Sequence, residues 1–148
     1  MKKEIQELVQ FALSDKLNQH KSIIIGTVNK MQSDIIEQFS GVNIYGCNRI
    51  IDTSLIRHVI SKHGSPSIEE KKEQIAITID DFILIPTVLT NADFITYEGK
   101  NNLKRDCFKY TKKLADGTII IIEAVIINKY GNKMVIETMY KKKKSNKK

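Results

Sequence analysis

Residues 94–141 read FITYEGKNNLKRDCFKYTKKLADGTIIIIEAVIINKYGNKMVIETMYK, and this stretch decides the fold. Four runs rich in β-branched and aromatic residues, 94–97, 103–111, 118–127 and 133–141, alternate with turn formers: Glu98-Gly99-Lys100-Asn101-Asn102, Ala115-Asp116-Gly117 and Tyr130-Gly131-Asn132. Connections this short leave no room for a crossover, so each strand pairs antiparallel with the one before it. The predicted architecture is α+β, with helices packed on a four-stranded antiparallel meander and an N-terminal helix and strand as an extension. In the last run, regular alternation puts Met134, Ile136, Thr138 and Tyr140 on one face and Lys133, Val135, Glu137, Met139 and Lys141 on the other. Met134 and Ile136 mark the core side, so alternation carries Thr138 and Tyr140 to the rim of that same face.

Upstream of the meander the pattern is helical. Residues 54–63 form an amphipathic helix with Thr53 as the expected N-cap and Gly64 and Pro66 as the stop. Leu55, Ile56, Val59 and Ile60 make its apolar stripe, His63 continues that stripe, and His58 and Lys62 lie one turn apart on its flank. A helix with this stripe needs the sheet as its partner. Earlier still, residues 3–18 read as an amphipathic helix over Ile5, Leu8, Val9, Ala12, Leu13 and Leu17. A strand over 22–28, a helix over 34–39 stopped near Gly41, and an extended segment 42–51 follow. The polar residues 65–74 read as a loop, and Asp80-Asp81 open a short helix that Pro86 kinks or ends. The expected division is an N-terminal extension 1–44, a core domain 45–142 and a basic tail 143–148.

The chain of 148 residues is 41% hydrophobic and 28% charged, which suits one globular domain able to bury a core. No apolar run is long enough to span a membrane and no apolar signal core follows Met1-Lys2-Lys3, so a cytoplasmic protein is expected. Cys47 and Cys107 match no zinc spacing and no redox pair, and read as free thiols. The net charge of +7 is uneven: residues 141–148 hold six lysines and no acid, and the rest carries 18 basic against 17 acidic residues. Such a tail attracts polyanions without sequence preference, or simply solubilises the chain end.

Two of the three histidines, His58 and His63, share one helix with Arg57 and Lys62, and Glu137-Thr138-Met139-Tyr140-Lys141 ends the meander. These groups suit cleavage of RNA. A base takes the proton of the ribose 2′-hydroxyl, whose oxygen attacks the adjacent phosphorus, and an acid protonates the leaving 5′-oxygen. Cations and hydroxyls stabilise the charge that builds on the phosphoryl oxygens. Histidine titrates near neutrality and can fill either proton-transfer role, Lys62 and Lys141 supply charge, and Thr138 and Tyr140 donate hydrogen bonds. No HExxH, DxD or Cys/His set indicates a metal, and no cofactor is expected. Each residue also has a plainer reading. His63 could cap the last helical carbonyls, His58 and Lys62 could be surface residues, Thr138 a strand former, and Tyr140 a seal on the core edge. Asp80-Asp81 and Glu69-Glu70 look like capping and solvation. Glu123, inside an isoleucine run, either holds a catalytic cation or marks a half-exposed sheet face.

The histidine-bearing helix, the segment Ile83-Leu84-Ile85-Pro86 before a strand, and the ending Thr138-Met139-Tyr140-Lys141 resemble the phage-type members of the barnase–EndoU–colicin–RelE-like nuclease superfamily. The resemblance covers about residues 45–142. It implies one or two helices on a four-stranded antiparallel sheet and a metal-independent RNase, of a kind often used as a toxin or phage-delivered effector, several relatives of which cut tRNA. It implies catalytic roles for His58, Lys62, His63, Thr138 and Tyr140 and substrate contacts from Arg57 and Lys141. RNA, with tRNA among the candidates, is then the substrate, and an immunity or antitoxin protein an expected partner. Two other readings stay open: a non-catalytic module that holds nucleic acid through the basic tail, and a phage structural protein that docks through residues 1–44.

Overall fold

The computed structural model describes residues 1–14 and 19–144. Leu17 and the tail residues 145–148 lie outside the described residues. The chain runs α1 (Lys2–Ala12), β1 (Ser22–Thr27), α2 (Lys30–Ser40), β2 (Asn48–Asp52), α3 (Thr53–His63), α4 (Pro66–Lys71), β3 (Gln74–Ile75), α5 (Ile79–Ile83), α6 (Ile85–Thr90), β4 (Phe94–Lys100), β5 (Asp106–Lys113), β6 (Gly117–Ile126) and β7 (Lys133–Lys143).

The strands β4, β5, β6 and β7 pair antiparallel in sequence, as their short turns require. They do not stand alone, which corrects the expectation of a four-stranded sheet. The sheet has seven strands in the order β1-β2-β7-β6-β5-β4, with β3 also on β7, and it is mixed because β2 runs parallel to β7. Without β2 and β3, the outer edge of β7 would expose unpaired backbone groups. β2 covers it at Lys133–Val135 by register, and β3 covers it at Lys141 and Lys142. Residues 136–140 lie between these two pairings, and α3, which begins where β2 ends, packs against β7.

Local chemistry fixes the helix ends. Asp52, not Thr53, caps α3: its Oδ1 accepts the Leu55 N–H at 2.8 Å. Asn29 caps α2 in the same way through Gln32 at 2.8 Å, so this helix starts four residues before the expected Asp34. The expected short helix is two helices, because Thr78 and Asp81 form a capping box on α5 and Pro86 sits in the first turn of α6. The stretch 65–74, expected as loop, contains α4 and β3. α1 buries Ile5, Leu8, Val9 and Ala12 as expected, but Leu13 lies past its end and is exposed.

One sheet face carries the core. By register, Ile119, Ile121, Glu123 and Val125 share it with Met134, Ile136, Met139 and Lys141. Side chains from α1, α2, α3, α5 and α6 fill in against it, among them Ile5, Ile36, Val59, Phe82 and Leu89. Residues 1–44 thus contribute to the same core as the rest. Glu123 is held inside it: Arg49 Nε lies 3.1 Å from its Oε2 and the Tyr110 hydroxyl donates to its Oε1 at 2.7 Å. Glu123 is fully buried, so it marks no half-exposed sheet face, and the cation it holds is Arg49, a member of the core away from the histidines and not a catalytic group. Both cysteines are free, Cys107 buried and Cys47 partly so.

Candidate active site

The bulge at Glu137 decides which side chains can meet. β6 and β7 stay in register from Lys143 to Thr138, then Glu123 pairs with Ile136, so Glu137 is one extra residue on β7. The extra residue reverses the alternation. Thr138 and Tyr140 lie opposite Ile122 and Ile120, on the face away from Met134 and Ile136. The expectation that all four share one face is therefore wrong, and Lys141 and Met139 take the core side instead. Thr138 and Tyr140 stand on the outer sheet face with Val135 and Lys133.

α3 delivers its histidines to this face. Leu55, Ile56 and Val59 anchor the helix in the core. The rings of His58 and His63 lie 6.5 Å apart, centroid to centroid, at 76°. His63 in turn lies 5.7 Å from the Tyr140 ring. The two informative stretches of sequence thus converge in a row, Tyr140, His63, His58.

Each histidine has its own acid. Glu69, on α4, is fully buried with its Oε2 3.2 Å from His63 Nδ1. Nδ1 is thus engaged with Glu69, which leaves Nε2 as the ring nitrogen outside this contact. Lys72 Nζ stands 3.7 Å from the other oxygen of Glu69, which has no hydrogen-bond partner. His58 is exposed and lines a cleft of about 560 Å³ with Glu137, Arg105, Lys133 and the apolar Ile50, Leu55 and Val135. Partial burial holds the His58 pKa below the usual histidine value. The neighbouring His63 and Lys62 push the same way, and Glu137 opposes them. Arg105 Nη1 lies 3.6 Å from Glu137 Oε1, and Asn101 Nδ2 donates to the same oxygen at 3.4 Å. The Oγ1 of Thr138 is buried and makes no hydrogen bond within the protein.

The structure therefore brings together His58, Lys62, His63 and Tyr140, sets Thr138 two residues from Tyr140 on the same strand face, and places Arg57 and Lys141 elsewhere. The Arg57 guanidinium donates to the carbonyls of Ala12 at 3.0 Å and Gln19 at 3.1 Å, which ties α3 to the end of α1. Lys141 is 5% exposed on the core face, with Nζ 3.1 Å from Asp81 and 2.7 Å from Asp116. Three residues of the site escaped sequence reasoning. Ser65-Pro66 is a helix-start signal that would have turned Glu69 back beneath His63. Glu137 needed the bulge, and Arg105 needed the β4–β5 register.

Among the described residues no three His, Cys, Asp or Glu side chains gather into a group that could hold a metal ion. No described helix is long and apolar enough to cross a membrane. Comparisons with curated proteins and with solved structures return no match. A family model does match: it covers residues 26–148, from inside β1 to the chain end, and its description is phage-Barnase-EndoU-ColicinE5/D-RelE like nuclease3. With the outer-face row of Tyr140, His63 and His58 in place, and more than three quarters of the chain matched, the protein belongs to this phage-type barnase–EndoU–colicin–RelE-like nuclease family.

Proposed function

We propose that the chain is a metal-independent endoribonuclease, with His58 as general base and His63 as general acid. The observation that carries this reading is the spacing of the two imidazoles, 6.5 Å between centroids. A phosphoryl group can sit between them with a hydrogen bond of about 2.6–3.2 Å to each side. His58, whose charged form is disfavoured, is the natural proton acceptor for the 2′-hydroxyl. The freed oxygen attacks phosphorus as the 5′-oxygen leaves, and His63 Nε2–H supplies the proton to that oxygen. The products are a 2′,3′-cyclic phosphate and a 5′-hydroxyl. Lys62 and Arg105 stand by the developing charge, and the Tyr140 hydroxyl serves as donor to the phosphoryl oxygens, while the buried Thr138 hydroxyl supports the strand beneath them. On this reading Arg57 and Lys141 hold the fold and do not touch RNA.

The setting proposed with it is a toxin or phage-delivered effector that acts on cytoplasmic RNA, tRNA included, and is restrained by an immunity or antitoxin protein. Residues 1–44 are then an extension that completes the core and 143–148 a basic tail. The test is incubation of purified protein with total cellular RNA in EDTA, beside the His58→Ala/His63→Ala variant. Discrete fragments ending in cyclic phosphate from the wild type alone are expected. Intact RNA with a salt-sensitive gel shift that survives the variant would instead make the chain a binding module.

A further inference from the structure

The cleft at His58 does not end at Arg105. Arg105 and Ile126 line both that cleft and a second groove of about 260 Å³, whose other walls include Lys100, Leu103, Lys104 and Ile127. This groove sits where the β4–β5 and β6–β7 hairpins emerge from the same end of the sheet, since Lys100 pairs with Asp106 and Ile126 with Lys133.

Its surface combines two features that rarely serve a fold. Leu103 is 66% exposed and Ile127 70% exposed, so two large apolar side chains are held in water. Beside them stand three cations. Lys100 lies 3.8 Å from Asp106 and Arg105 lies 3.6 Å from Glu137, while Lys104 makes no ion pair among the described residues. Asp106 is also occupied by the Tyr97 hydroxyl at 2.6 Å. The loop is built in advance: Asn101 Oδ1 accepts the N–H groups of Leu103 at 2.9 Å and Arg105 at 3.1 Å, and Lys104 sits at φ 60°. Apolar surface next to the unpaired Lys104, with Lys100 and Arg105 in only loose ion pairs beside it, is the complement of a nucleotide, whose base seeks an apolar platform and whose phosphate seeks charge.

We propose that this groove is a subsite for a nucleotide flanking the scissile bond of single-stranded RNA, with its base on Leu103 and Ile127 and its phosphate on Lys104 and Lys100. The proposal rests on the nuclease reading above. It assigns the groove a binding role, with no part in proton transfer.

The test uses the full chain carrying His58→Ala/His63→Ala, so that RNA is bound and not cut. Fluorescence anisotropy compares a labelled diribonucleotide with the same dinucleotide extended by two residues on the 5′ side or on the 3′ side. Extension on one side is expected to tighten binding several-fold. Adding Leu103→Ala and Lys104→Ala removes that gain, and the slope of log affinity against log salt falls by about 0.7 for the lost phosphate contact. Both side chains are exposed, so the added changes leave the fold intact. An extension gain that survives them, or no gain on either side while the dinucleotide still binds, overturns the subsite and leaves the nuclease reading standing. If no oligoribonucleotide binds and the wild type cleaves no RNA, both readings fall together.

Discussion

Glu69 meets His63 from inside the protein, a fully buried carboxylate 3.2 Å from Nδ1 of a ring that is itself 17% exposed. A buried acid on one nitrogen fixes the tautomer and the tilt of the ring, and leaves the other nitrogen for chemistry. Removing the ring by His63→Ala takes away the proposed acid and lowers kcat by about 10²–10⁴-fold. Glu69→Gln keeps the volume but lets an amide N–H face Nδ1, which admits the wrong tautomer. A smaller fall in kcat with KM little changed is expected, together with a displaced alkaline limb of the pH–rate profile. A change confined to thermal stability would show that Glu69 only fills space.

The acid limb of the pH–rate profile tests His58. Its pKa is lowered from the ordinary 6.5 first by partial burial, then by His63 and Lys62. A general base must be neutral, so the acid limb of kcat/KM falls below pH 6.5. Lys62→Gln removes a cation and moves the limb up, and Glu137→Gln removes an opposing anion and moves it down. Opposite signs from two neighbouring substitutions are hard to obtain from a general loss of structure. The Lys62 effect shrinks at high salt, because both side chains face solvent. The same shift couples to stability. With the folded pKa depressed, the unfolded chain binds more protons, so His58 weakens the fold as pH drops through 6.5 towards the folded pKa and has no effect well above 6.5.

These sites show what could be read in the chain and what could not. The four meander strands were legible because Gly99, Gly117 and Gly131 punctuate them and the runs between are β-branched. That His58 and His63 share one helix was legible from its apolar stripe and stop signals, but residues five apart point about 140° away from each other around a helix, so their ring contact was not. The bulge was not, because Met134-Val135-Ile136 and Thr138-Met139-Tyr140 each look like unbroken alternation, and only pairing with β6 exposes the extra residue. β3 was hidden because two residues carry no periodicity, and what places it is its pairing with the edge of β7. Glu69 looked like half of a solvated pair because Glu70 beside it is indeed exposed. One-turn helices such as α4 depend on tertiary contact for their stability, so local pattern says little about which side they bury.

The buried cluster of Arg49, Glu123 and Tyr110 makes a stability prediction with no bearing on catalysis. Burial pushes the Glu123 carboxyl up, against Arg49 and the Tyr110 hydroxyl, which stabilise its charge. Burial and the Glu123 charge together push the Tyr110 phenol well above its ordinary value. Removing one member strands the other, so Arg49→Met costs about 3–5 kcal/mol in urea unfolding. The paired change Arg49→Met/Glu123→Leu restores much of that loss, because an apolar pair of similar volume leaves no charge uncompensated. A double variant as weak as the sum of its parts would rule out charge pairing as the origin of the cost.

Lys141 separates a fold role from a binding role at a position where sequence alone suggested RNA contact. Its ammonium bridges Asp81 of the α5 capping box and Asp116 of the β5–β6 turn, 3.1 and 2.7 Å away, from the core face of β7. Burial works against its charge, but the hydrogen bonds to Asp116 and Asp81 outweigh it and raise the pKa. Lys141→Met leaves Asp81, 6% exposed, without its cation. A loss of about 3 kcal/mol is expected, at the low end for a broken buried pair because Asp116 can turn to water. If Lys141 only braces the fold, the variant's salt slope for RNA matches the wild type at a temperature where both are folded. A contact to phosphate would instead lower that slope by about 0.7. The same assay on Lys62→Gln gives the contrast: an exposed cation beside His58, whose removal weakens RNA binding and leaves urea unfolding almost unchanged.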